Sequence, residues 1–213
     1  MHRRGAAIVT VILCVAVGAA AFAVPATLAQ VPSSPLASDS AVTLGPVNVD
    51  GEPLYASVTL SRGWTRIGMG PFLRDDRASL VSPDGAYRAL LELVRVARAD
   101  DAGDAVPGDA AGELESRLAS ATWSTEALAS GSEVRYTTLA DGEDTVTVAI
   151  LDPPDGVLTG SGASSPQRAH LVVVAAAPSA DADGYRTVTA DLISSAVFSL
   201  SHPSGTPTED VQL

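Results

Sequence analysis

From Ala169 to Ala177 the chain reads AHLVVVAAA, apolar at nearly every position, and this stretch constrains the fold more than any other. A half-exposed strand alternates apolar and polar side chains, so a strand without alternation must be covered on both faces. Its neighbours in a sheet are supplied by segments joined through turn chemistry. Arg77–Val81 and Tyr87–Val96 flank Ser82-Pro83-Asp84-Gly85, where proline pre-sets φ, aspartate bonds its own backbone and glycine takes φ > 0. Glu133–Leu139 and Thr145–Leu151 flank a second turn, Ala140-Asp141-Gly142-Glu143-Asp144. Tyr55–Leu60 is a further alternating, β-branched strand, and Ser61-Arg62-Gly63 turns it into the short extended piece Trp64–Ile67. Leu90, Leu91 and Val94 also permit a helix over Tyr87–Val96, but the tight turn before it favours a strand.

Two segments carry helical spacing. Leu114, Leu118 and Ala121 share one face, Glu113 and Arg117 pair at i,i+4 on another, and Asp109 is placed to cap the start. In Tyr185–Leu200 the residues Tyr185, Val188, Leu192 and Val197 fall on a second helical stripe. Hairpins require antiparallel pairing and amphipathic helices can cover a sheet. The expected class is therefore α+β: an antiparallel sheet built from hairpins, covered by two amphipathic helices and preceded by one N-terminal apolar helix. The order of a strand ending in Gly63-Trp64, the Ser82–Gly85 hairpin, a mid-chain helix, two further strands and a closing helix resembles the PsbP-like α/β sandwich. That group includes extrinsic photosystem proteins and exported LpqN-type lipoproteins. The resemblance covers residues 54–200, implies a binding or accessory role, and carries over no functional residue.

At the N-terminus His2, Arg3 and Arg4 precede an uncharged run from Gly5 to Val24, and Pro25 ends it. A basic start, an apolar middle and the small-residue region Pro25-Ala26-Thr27-Leu28-Ala29 make a secretory signal, with a cut expected after Ala29. The other reading retains the run as a signal anchor, because about 20 apolar residues cross a bilayer as a helix. The membrane is then a partner through residues 5–24. Either way the leading arginines hold that end in the cytoplasm and residues 30–213 pass outside. Cys14 follows Leu13 in the middle of the run, which departs from a lipobox and leaves it a small hydrophobe. Residues 30–53 are rich in Pro, Ser, Gly and Asp and read as a flexible spacer. Residues 54–200 form the folded body and 201–213 a disordered tail.

Charge narrows the partners. The 213 residues carry 25 acidic and 13 basic side chains, all of the latter arginine, for a net charge of -12. Nucleic acid is excluded, since its phosphates demand a cationic face. Arginine without lysine, beside abundant Ala, Val, Gly and Asp, points to a GC-rich bacterial genome. The sole cysteine rules out an intrachain disulfide and a CxxC redox site.

No motif names a reaction. HExxH, an EF-hand loop and a GxSxG elbow are absent, and Gly68-Met69-Gly70 and Gly160-Ser161-Gly162 lack the lysine of a phosphate loop. Neither a cofactor nor a metal is expected, and the acidic pairs Asp75-Asp76, Asp100-Asp101 and Glu143-Asp144 read as solvated turns. His170 opens the apolar strand; a serine–histidine–acid site would need Ser164 or Ser165 beside it. The candidate partner-binding residues are Trp64, Arg66, Phe72, Arg74 and Arg77, the densest cationic and aromatic patch of an acidic chain. The expected function is an exported or membrane-anchored accessory protein of the bacterial cell envelope, binding a protein or glycan without catalysis. The alternatives are an extracytoplasmic hydrolase or a small-ligand carrier, which requires an apolar cavity between sheet and helix.

Overall fold

The computed structural model describes residues 33–37, 40–67, 75–96, 118–154, 156–157 and 168–203. Eleven strands occur among them: β1 (Ser33–Pro35), β2 (Ser40–Val49), β3 (Glu52–Leu60), β4 (Thr65–Ile67), β5 (Arg77–Val81), β6 (Arg88–Val96), β7 (Ser124–Ala127), β8 (Glu133–Asp141), β9 (Asp144–Asp152), β10 (Arg168–Pro178) and β11 (Val197–Ser199). One helix, α1 (Ala182–Ser194), lies between β10 and β11. The strands form two antiparallel sheets, one of eight strands in the order β1-β4-β5-β6-β10-β9-β8-β7 and one of three in the order β11-β3-β2.

β10 sits inside the larger sheet, paired with β6 on one side and β9 on the other. Its alternate residues enter two separate cores. Leu171, Val173 and Ala175 face a main core with Leu91, Leu93 and Leu151 from their own sheet and Val42, Leu44, Leu54 and Val58 from the smaller one. Val172 and Val174 point the other way, joining Leu90, Val94, Val148 and Ile150 in a second cluster beneath Leu118 and Trp123. An unbroken apolar strand is the result of two-sided burial.

The smaller sheet starts from a two-residue hairpin. Asp50 (φ 52°) and Gly51 (φ 94°) both adopt positive φ, and the Gly51 N–H donates to Asn48 Oδ1 at 2.9 Å. This is the turn whose twist suits antiparallel strands. β2 carries a bulge between Leu44 and Val47, where Gly45 (φ 106°) donates its N–H to the Asp75 carbonyl at 2.8 Å. A Cβ at Gly45 would lie 2.7 Å from the Leu54 carbonyl oxygen, so only glycine fits there.

The expected α+β arrangement is therefore corrected. The main face of the larger sheet is covered by a second sheet together with α1, and among the described residues the only other helical ones are 118–120. Residues 30–53 are not all spacer, because β1 and β2 fall within them and Leu44 is fully buried. The closing helix stops at Ser194. Val197 belongs to the edge strand β11, opposite Ser57 of β3, rather than to a helical stripe. The expected apolar helix and cut site within residues 1–29, most of the helix before residue 118 and residues 204–213 lie outside the described residues. Among those described, no helix is long and apolar enough to cross a membrane. Both hairpin strand pairs, Arg77–Val81 with Arg88–Val96 and Glu133–Asp141 with Asp144–Asp152, form as the turn chemistry predicts.

Candidate binding groove

Of the predicted patch, the described residues Trp64, Arg66 and Arg77 do not share one exposed surface. Trp64 is buried at 3% exposure, its ring edge-on to Tyr87 at 5.6 Å and its indole N–H on Ser61 Oγ at 3.2 Å. Arg66 pairs across from Leu80, and Arg77 across from Glu92. Directly opposed residues share a sheet face and adjacent ones alternate, so the two arginines project from opposite faces. Arg77 is held by Glu92 at 2.7 Å, beside the second core. Phe72 and Arg74 lie outside the described residues.

His170 is buried, and Asp152 from the neighbouring strand hydrogen-bonds its Nδ1. The second Asp152 oxygen is 4.0 Å from Arg135. The register explains the meeting: Leu171 opposes Leu151, so His170 and Asp152 are the next pair along the same two strands. A carboxylate on Nδ1 is the orienting half of a nucleophilic triad. Ser164 and Ser165 lie outside the described residues.

The structure draws attention instead to the outer strands. On its main face the larger sheet is wider than its cover, leaving an open groove of about 650 Å³ lined by α1 and β7–β10. Ala175 and Ala177 of β10, Thr145 and Thr147 of β9, Val134, Tyr136 and Thr138 of β8 and Glu126 of β7 form the floor. The wall is one face of α1, where Ala182, Tyr185, Arg186, Thr189, Ala190 and Ile193 recur at i, i+3 and i+4. Small side chains make the space: Ala175 opposes Thr147, which opposes Thr138, so one row of the floor holds nothing larger than threonine. The Thr138 and Thr147 hydroxyls are 3.2 Å apart.

A polar and aromatic chain fixes the start of the wall. Thr189 Oγ1 donates to the Tyr185 carbonyl at 2.9 Å, which leaves the Tyr87 hydroxyl to donate to Thr189 Oγ1, also at 2.9 Å. Burial pushes the Tyr87 hydroxyl up to about 12. The Tyr185 ring stacks on Tyr87 with centroids 5.2 Å apart, and its hydroxyl donates to the Asp84 carboxylate in the β5–β6 turn. Asp84 also accepts from the Ser82 hydroxyl and the Ala86 N–H. Those three donors, Ser82 foremost, hold its carboxyl at about 2, and the bond to Asp84 pushes Tyr185 up to about 12. The hairpin turn thereby latches the first turn of α1.

Electrostatically the groove is acidic. Glu126 and Asp191 line it, and the one basic residue among its described lining residues, Arg186, reaches Asp183 at 2.7 Å. Among the described residues no group of three metal-ligating side chains gathers. None of these lining residues carries a motif. Alanine, threonine and tyrosine become a groove only when the strand register and the helix path place them on one concave face. No family model, no curated protein and no solved structure matches the chain.

Proposed function

We propose that this chain is an envelope accessory domain that works outside the cytoplasmic membrane, tethered or released, and holds a ligand in the groove between α1 and the outer strands without transforming it. The observation that carries the reading is the groove itself. Its 650 Å³ falls within the size range of ligand sites, and apolar and hydroxyl side chains share its lining. The floor is a continuous antiparallel sheet and the wall is latched by Asp84 and Tyr185, so the site is pre-formed and ordering costs on binding are small. The arginine-flanked apolar run supports export. A hydrolase reading draws support from the Asp152–His170 pair, whose geometry suits an oriented general base.

The test is thermal unfolding with and without the small-molecule fraction of the envelope in which the protein resides. A ligand that binds only the folded state raises the midpoint by mass action. The wild type is expected to be stabilised. The Ala190→Trp variant, whose indole would fill the groove from an exposed helix position, is expected not to respond. An equal response from both proteins would rule out the groove.

A further inference from the structure

Resting on that reading, we infer that the groove's ligand is a cationic amphiphile: an organic amine or quaternary ammonium with an apolar body. Asp191 and Ile193 of α1 line the same groove as Val134 and Glu126 of the floor. Glu126 lies directly opposite Val134 in the register, with Leu128 adjacent. Two carboxylates and a small apolar surface therefore line the same concavity.

Charge decides between the ligand classes. An anion, whether a fatty carboxylate or a phosphate, would meet two lining carboxylates, Glu126 and Asp191, against a single cation among the described lining residues, the exposed Arg186, and the chain has no lysine. A neutral ligand covering Glu126 and Asp191 would strip water from two carboxylates without supplying a counter-charge, which is costly. A cation restores the balance, and the nearby Tyr136 ring adds an aromatic surface of the kind that attracts onium groups. The net charge of -12 draws cations toward the whole molecule.

Isothermal calorimetry with three ten-carbon probes below their micelle concentrations tests this: decyltrimethylammonium, decyl maltoside and decanoate. In the full chain the cation is expected to bind at least about tenfold more tightly than the maltoside, decanoate is expected not to bind, and added salt should narrow the gap. The double variant Glu126→Gln/Asp191→Asn, checked for unchanged melting, should lose the preference for the cation and keep the maltoside affinity. A preference that survives in that variant, or a maltoside or decanoate affinity equal to the cation's in the wild type, overturns the cationic assignment while leaving a groove that binds. If no probe binds the wild type, or if Ala190→Trp binds all three as the wild type does, the groove reading falls together with the inference.

Discussion

Asp84 joins two distant parts of the chain through one carboxylate. Its folded value near 2 lies below the ordinary 3.8, so ionised Asp84 favours the folded state. That contribution is complete above about pH 4 and is lost as pH falls toward 2. Asp84→Asn should therefore melt at a lower temperature than wild type at pH 7, and the two melting curves should converge by pH 2 in calorimetry. The turn around Asp84 was legible in Ser82-Pro83-Asp84-Gly85, because turn chemistry is local. Its tie to Tyr185, 101 residues away, was not, since nothing in a sequence marks which distant hydroxyl a turn carboxylate will accept. The same limit applies to Trp64, Arg66 and Arg77. Proximity along the chain suggested a patch, but strand alternation sends the arginines to opposite faces and the indole inward.

At the scale of elements, β10 and the two later hairpins could be read directly, because an unbroken apolar run and a tight turn each have few structural solutions. β2 could not, and the reason is instructive. Its alternation of Val42 and Leu44 breaks at Gly45-Pro46 and resumes out of phase at Val47 and Val49, so a bulge disguises a strand as a proline- and glycine-containing spacer. The missed signal was Asp50-Gly51 between two β-branched segments, a strong hairpin cue. Leu44 is fully buried in the main core, and Leu44→Ala should cost about 2–5 kcal/mol in urea unfolding. A true spacer would give a change within about 0.5 kcal/mol of zero. The end of α1 was misplaced for a related reason: Val197 fits the helical stripe, yet pairing with β3 captures Val197–Ser199 as a strand.

The whole molecule is an acidic domain in which two sheets share one core, and a helix too narrow to finish the cover leaves a groove. That groove follows from a mismatch in width between an eight-stranded and a three-stranded sheet, a property of topology that no single segment expresses. The arginine-flanked apolar run and the charge, by contrast, can be read without any structure, and they are what the envelope setting of the proposed function rests on. Native mass spectrometry of the protein gently isolated from its source cells tests the central claim most directly. The account predicts that the wild type carries a reproducible small-molecule mass that dissociates on activation and that Ala190→Trp lacks. The same adduct on both proteins, or none on either, would contradict it.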